Sequence, residues 1–332
     1  MNCLLCGKDS KLKDANWTGY QSPQLFNIYH CDHCGTSFSF PQVTDSDIYN
    51  FIYRHSSKLP GYRRYQNFAD TINIQNNPLQ FLAEEEIYWG IAKVLKELVL
   101  DKQKAEIIDV GCGLGYLTYA LRKENYNVTG VDISEDAIIN AKSKFGDYYR
   151  TLDIFNETET SKKYDVVILT EVIEHVHNPE VFINQLSKLL KQNGKIIVTT
   201  PNKLASSLSC VWDTDLPPVH QWWFTKQSLK YLSEKLNLKI SFVDFNHFYL
   251  KNYQSLKKSD ANCNKRNVRP LLDKNGDVIY SETIDVSVSN YRKKLSQIKI
   301  LRKIYNSFLR YFNWMRYVIS GEGRIICVVL QK

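Results

Sequence analysis

Two glutamates and a histidine stand together in "TEVIEHVHNPEVF", Thr170 to Phe182, as Glu171, Glu174 and His175. A further histidine, His220, lies in the aromatic stretch "DLPPVHQWWFT". Two carboxylates and two imidazoles are donor types that suit a divalent cation, Mg²⁺ or another, with positions left open. Such a cation lowers the pKa of a bound hydroxyl and makes an alcohol a nucleophile. Without a metal, His175 or His220 could take the proton as a general base near neutral pH. A plainer use exists for the same residues: Glu171 and Glu174 can favour a helix start while His175 packs. On a helical turn their spacings of three and four would point all three side chains the same way.

The start of the chain offers different chemistry. "CLLCG" and "CDHCG" hold Cys3, Cys6, Cys31 and Cys34, two CxxC pairs 24 residues apart, followed by Gly7 and Gly35. Four thiolates presented by two tight turns suit a tetrahedral Zn²⁺, and a glycine after the second cysteine lets backbone N–H groups turn toward the sulfurs. A redox CxxC expects one such pair at a strand-to-helix junction, not two. A closed four-thiolate shell leaves no open position for catalysis. Its task is to fold residues 1–40, a zinc ribbon too small to bury enough core alone. His30 and His33 neighbour the shell without being needed by it.

The elements that must position the central cluster follow. Residues 41–100 run through the Tyr- and Phe-rich "SDIYNFIYRHSSKLPGYRRYQNF" to "LQFLAEEEIYWGIAKVLKELVL", whose apolar residues recur at helical spacing. They read as helical cover. Strand-like runs then alternate with helical ones: "EIIDV" (106–110), "NVTGVD" (127–132), a weaker "YYRTLD" (148–153), "YDVVILT" (164–170) and "GKIIVTT" (194–200). Helical stretches fall at 114–123, 135–145, 179–191 and 226–236. Repeated βα units with continuous apolar strands predict a parallel sheet covered on both faces, with ligands at the carboxyl ends of its strands.

The first such end is "DVGCGLGYL". Gly111, Gly113 and Gly115 let the backbone turn sharply and approach a ligand at a helix amino end. A dinucleotide fingerprint would need a third glycine where Tyr116 stands, so no pyrophosphate is implied. Asp132, 23 residues after Asp109, ends the second strand and can accept both hydroxyls of a ribose. Ser134 is better placed than Asp132 to cap the next helix. Asp153 ends the third strand, placed to accept from an adenine amino group. Together these residues specify an adenosine without phosphates.

"IIDVGCGLGYLT", "VTGVDIS", "YDVVILTEVIEHV" and "LLKQNGKIIVTTPN", in that order, resemble the successive motifs of the class I S-adenosylmethionine-dependent methyltransferases. The resemblance implies an α/β fold with a Rossmann-like seven-stranded sheet, its core formed by residues 101–245 plus 322–332. It implies bound S-adenosylmethionine, with Asp109, Gly111, Gly113 and Gly115 near the methionine part and Asp132 on the ribose. Asp153 would lie near the adenine, Leu152 or Ile154 against its ring, and Ile133 and Thr170 also at the donor. The family's antiparallel last strands would be "LKISFVDF" (238–245) and "RIICVVL" (324–330), leaving 246–321 as a helical insertion before the last strand. "EVIEH" with a later histidine resembles two branches, the ubiquinone-pathway O-methyltransferases and the small-RNA 2′-O-methyltransferases. Carried over, Glu171, Glu174, His175 and His220 would bind a catalytic cation. A ribbon before such a domain is instead similar to the C-methyltransferases of nucleotide-linked keto sugars.

Formal net charge is +8, and residues 286–321 contain eight Lys or Arg and no acid. Within 292–319, Arg292, Lys293, Lys294, Lys299, Arg302, Lys303, Arg310 and Arg316 interleave with apolar residues at helical spacing. This is a basic amphipathic segment, either packed on the domain or lying on a membrane surface, which would suit a lipid-linked substrate. Nucleic acid is disfavoured, because no recognition motif accompanies the charge. No apolar run reaches the length of about 18 residues that a spanning helix requires, and no signal-peptide layout opens the chain. Cys112, Cys210, Cys263 and Cys327 read as reduced thiols, so the chain is expected to be cytoplasmic. The expected activity is methyl transfer to a hydroxyl of a sugar, glycolipid or small metabolite. Sugar C-methylation and a non-catalytic binding module on the same fold are the alternatives.

Overall fold

The computed structural model describes residues 1–43, 47–59, 61–98, 101–155, 162–205, 216–251, 269–279 and 299–332. Cys210, Cys263, Arg292, Lys293 and Lys294 lie outside the described residues. A seven-stranded sheet forms the centre. Its parallel part runs β6 (Tyr149–Thr151), β5 (Val128–Asp132), β4 (Ile107–Val110), β7 (Tyr164–Thr170) and β8 (Leu190–Pro201). Beyond β8 comes β11 (Ile325–Gln331), antiparallel both to β8 and to the edge strand β10 (Lys239–Phe242). The predicted strands are therefore present: 164–170 has its predicted bounds, 194–200 lies within a longer strand, and the others are shifted or trimmed by a few residues at their ends. The expected antiparallel last strand takes the predicted place.

The apolar runs are buried on both sides, as a doubly covered parallel sheet requires. Along β7, Val166 and Ile168 join the core on one face while Val167 and Leu169 join that on the other. In β11, Ile325 and Cys327 divide from Ile326 and Val328 in the same way. Helices α5 (Tyr116–Lys123), α6 (Glu135–Phe145), α7 (Pro179–Lys188) and α8 (Lys226–Lys235) connect the strands. The local signals for α6 agree with one another: Ser134 caps it by accepting from the Ala137 N–H at 3.2 Å. Acids fill its first turn and lysines its last.

Four helices precede the sheet: α1 (Asp47–Arg54), α2 (Tyr62–Thr71), α3 (Pro78–Leu82) and α4 (Glu86–Glu97). Between β10 and β11 lie α9 (Asn246–Lys251) and α10 (Lys299–Ser320). Trp314 and Tyr317 of α10 pack toward the core, with the Trp314 indole donating to Asn246 and the Tyr317 hydroxyl to Asp244.

The amino-terminal sheet holds a departure from the sequence reading. Strands β1 (Lys11–Thr18), β2 (Leu25–His30) and β3 (Ser37–Phe40) are joined by β9 (Trp222–Trp223), pairing Phe38 with Trp222 and Ser37 with Trp223. A two-residue strand has no period of its own, and only its partner defines it. Cys3, Cys31, Cys34, Phe38 and Trp222 belong to the same buried cluster as Val167 and Val198 of the central sheet. The cysteine-bearing segment thus shares a core with the central sheet.

Candidate active site

The loop after β4 is built for close approach. Gly111 and Gly113 have φ of 72° and 50°, a left-handed backbone that favours glycine. A Cβ on Gly111 would fall 2.5 Å from Val172, and one on Gly113 2.9 Å from the Tyr53 hydroxyl. Beneath the loop, Asp109 accepts from the Thr118 hydroxyl at 2.7 Å through one oxygen. Its other oxygen is buried with no hydrogen-bond partner among the described residues, and so is the Thr170 hydroxyl at the end of β7. Burial, aided by the nearby Asp132 charge and opposed by Thr118, pushes Asp109 up to about 7.

Asp132, also raised by burial, accepts from the Gly113 N–H at 2.8 Å and the Ser134 N–H at 2.9 Å. With the Ile133 N–H also bonded to it, the carboxylate still has acceptor capacity for a ligand, since its two oxygens offer about four lone-pair sites. Ile133 beside it is 49% exposed, unusual for an isoleucine at the end of a buried strand. Ile154 instead packs in the core, while Leu152 is half-buried. Asp153 turns to accept from the Phe155 N–H at 2.9 Å. Glycine cradle, buried acceptors and an exposed apolar face together suit a small cationic nucleoside better than a phosphate, which would meet carboxylates.

After β7 the chain makes turns, not a helix. Glu171 has φ of 53°, a conformation that non-glycine residues rarely adopt and that often marks functional sites. The left-handed step separates Glu171 from its neighbours. Its carboxylate accepts from the Tyr65 hydroxyl at 2.5 Å and lies 4.0 Å from Arg64. Glu174, by contrast, is buried and accepts from the Thr200 hydroxyl at 2.9 Å. Ligand atoms of Glu174, His175 and His220 all lie within 4.8 Å of one another. The expectation that helical spacing would bring all three side chains together therefore fails, because no helix forms here: Glu174 and His175 meet His220 from a distant loop, and Glu171 goes to a different partner.

The two imidazoles meet edge to face at 4.4 Å between centroids, and His175 Nδ1 lies 2.6 Å from the Val219 carbonyl oxygen. Nδ1 must donate in that bond, so Nε2 is left as the acceptor or ligand atom. Burial holds both rings down to about 3, and for His175 the neighbouring His220 adds to it. At neutral pH both rings are uncharged, the form in which histidine binds metals. A ring that hard to protonate is a weak proton acceptor.

Sequence reasoning missed residues supplied by α1 and α2. Tyr53 covers Gly113, Asn50 accepts from the Ser134 hydroxyl at 2.7 Å, and the Tyr49 ring lies edge-on to His175 at 6.1 Å. The aromatic density of that segment was the available signal. It gave no register.

Cys3 and Cys34 sulfurs are 3.7 Å apart, and those of Cys6 and Cys31 3.5 Å. A tetrahedral shell with Zn–S bonds of about 2.3 Å needs sulfurs about 3.8 Å apart, so the four fit zinc. Gly7 and Gly35 each donate back to the first cysteine of their knuckle, at 2.8 and 2.9 Å.

Residues 84–241 match the family described as methyltransferase domain. Over 107 residues the chain is 40% identical to the ubiquinone biosynthesis O-methyltransferase of Rickettsia conorii, covering 31% of this chain and 37% of that protein. It is 34% identical over 116 residues to the enzyme of the same name in Coxiella burnetii, covering 33% and 49%. The chain thus spans less than half the length of these relatives. A Thermotoga maritima structure titled as a possible histamine N-methyltransferase superposes with a TM-score of 0.44 at 14% identity, covering 86% of this chain and 99% of that one.

Proposed function

We propose that this chain, whose residues 84–241 match a methyltransferase domain and whose sheet has the expected order, is a class I methyltransferase that transfers a methyl group from S-adenosylmethionine to a hydroxyl of a small-molecule acceptor. The observation that carries this reading is the convergence of Glu174, His175 and His220 within 4.8 Å, beyond the end of β7, with Glu174 held by Thr200 of β8. Asp109, Gly111, Gly113, Gly115 and Thr170 would hold the methionine part of the donor. Asp132 would take the ribose, and Asp153, Ile133 and Leu152 the adenine, with Ile154 supporting that wall from the core. Bound there, the donor supplies an electrophilic methyl on its sulfonium.

A divalent cation such as Mg²⁺ suits Glu174, His175 and His220, and its chemistry would be to lower the pKa of the acceptor hydroxyl. Glu171, held by Tyr65 and close to Arg64, is assigned a place beside the cation's shell and not in it. The relatives' printed names carry O-methylation and mention no sugar or glycolipid, which favours a small-molecule hydroxyl. Sugar C-methylation is the second reading, favoured by the cysteine cluster ahead of the domain. Cys3, Cys6, Cys31 and Cys34 are assigned to structural zinc, in a reducing compartment such as the cytoplasm. No helix among the described residues is long and apolar enough to cross a membrane. The outer side of α10 exposes Phe308, Tyr311, Phe312, Val318 and Ile319 beside Arg316, and we assign it to the surface of an anionic bilayer.

The test uses a methyl-labelled donor with phenol and alcohol acceptors. Label in an ether-linked methyl is the expected outcome. Label on carbon would select the second reading, and a donor that does not bind in calorimetry would leave only a non-catalytic module.

A further inference from the structure

We propose that the cysteine-bearing sheet is a positioning element for Glu174, His175 and His220, acting through β9; this rests on the reading of those three residues as the acceptor-activating site. The connection is continuous in hydrogen bonds. Strand β3 begins three residues after Cys34 and pairs with β9. Just beyond that pairing, the Ser39 N–H donates to the Gln221 carbonyl at 3.0 Å. On its other side the same segment grips the catalytic turn: the Gln221 and Trp222 N–H groups both donate to the Glu174 carbonyl, at 2.9 and 3.1 Å. The Trp222 indole donates to the Val176 carbonyl at 2.8 Å, and the Gln221 amide to that of His175 at 3.3 Å. His220 lies two residues before this strand, and the Val219 carbonyl fixes the His175 ring.

The knuckles bear on β9 from a second direction. A Cβ on Gly35 would fall 2.8 Å from the hydroxyl of Thr225, the residue that caps α8 just after β9. The Gln227 amide donates to the His33 carbonyl at 2.7 Å. Phe38 and Trp222 pack ring to ring at 5.9 Å, and both are fully buried. The donor residues, by contrast, stand on β4 and β5, on the loops that follow β4, β5 and β6, and at Thr170, and none of the bonds given above ends on one of them. Zinc bound in the knuckles would therefore bear on acceptor activation through the hydrogen bonds of β9, whereas it meets the donor strands through the shared apolar core.

The experiment compares the full chain, zinc-loaded and after zinc is stripped with a mercurial and chelator under reducing conditions. Zinc content, donor affinity, kcat and KM are read alongside amide hydrogen exchange. The expected result is faster exchange in 171–178 and 216–225, unchanged exchange in 107–132, and retained donor affinity. The accompanying loss in kcat should be about 100-fold, the scale of losing a positioned catalytic group. Unchanged exchange in 171–178 and 216–225 would overturn the proposal, as would loss of donor binding together with them. Faster exchange there with full turnover would keep the positioning link and instead refute the catalytic reading of the cluster. Trp222→Phe separates the link from the metal: with zinc retained, exchange in 171–178 should still rise, and no rise would count against β9 as the connection.

Discussion

The Tyr65 hydroxyl donates to the Glu171 carboxylate at 2.5 Å, joining α2 to the left-handed residue that follows β7. Tyr65→Phe leaves a half-buried carboxylate short of a donor. We expect a stability loss of about 2 kcal/mol, the size of a hydrogen bond to a charged group, in urea titration. Turnover should fall with little change in donor affinity. Full stability and turnover would show that Glu171 takes nothing from this contact.

Glu174→Gln and His175→Ala should each lower turnover by about 100-fold or more while leaving donor affinity nearly unchanged. Calorimetry with S-adenosylmethionine and a methyl-transfer assay separate the two effects. Equal loss of both would mean that the cluster shapes the fold and not the reaction.

Chelator should remove a catalytic cation before the four-thiolate zinc, because three side chains hold less firmly than a closed shell. Turnover should vanish with zinc content constant and return on adding Mg²⁺ or Mn²⁺. Undiminished turnover in chelator would remove the cation from the account.

Asp109 is raised from 3.8 to about 7 by burial, so its protonated form is the one the donor-free fold favours. Its contribution to stability is fully present below the unfolded value of 3.8 and is lost as pH rises through about 7. Thermal melting of the donor-free chain should therefore decline across that window, and Asp109→Asn should flatten the decline. The donor's positive charge favours the carboxylate, so donor binding near pH 6 should release a proton. Calorimetry in two buffers of different ionisation heat would detect it.

The pair Phe308→Glu and Phe312→Glu should abolish flotation with anionic vesicles at low salt. Donor affinity should not change. Wild-type protein that fails to float would remove the bilayer from the account.

Much of this arrangement was legible because strands and loops carry their own patterns. The runs around Ile107, Val128, Val166 and Ile197 announced buried parallel strands, and the glycines with Asp109 and Asp132 announced the cradle. What stayed hidden depends on contacts between distant segments. Nothing in "EVIEH" reveals that Glu171 turns to Tyr65, because a positive φ on a glutamate has no sequence signal. Trp222 and Trp223 read as an aromatic loop since their strand exists only against Ser37 and Phe38. Helices α1 and α2 were visible as aromatic cover, but the pairing of Tyr53 with Gly113 needs their tertiary placement.

Strand β11 lies between β8 and β10 and pairs with both along most of its length, although β10 precedes it in the chain by the whole of the α9 to α10 region. During folding, the open flank of β8 therefore waits for a segment made long after its other neighbours. Until Ile325 to Gln331 arrive, an apolar strand edge is presented to any other chain, a recognised route to aggregation.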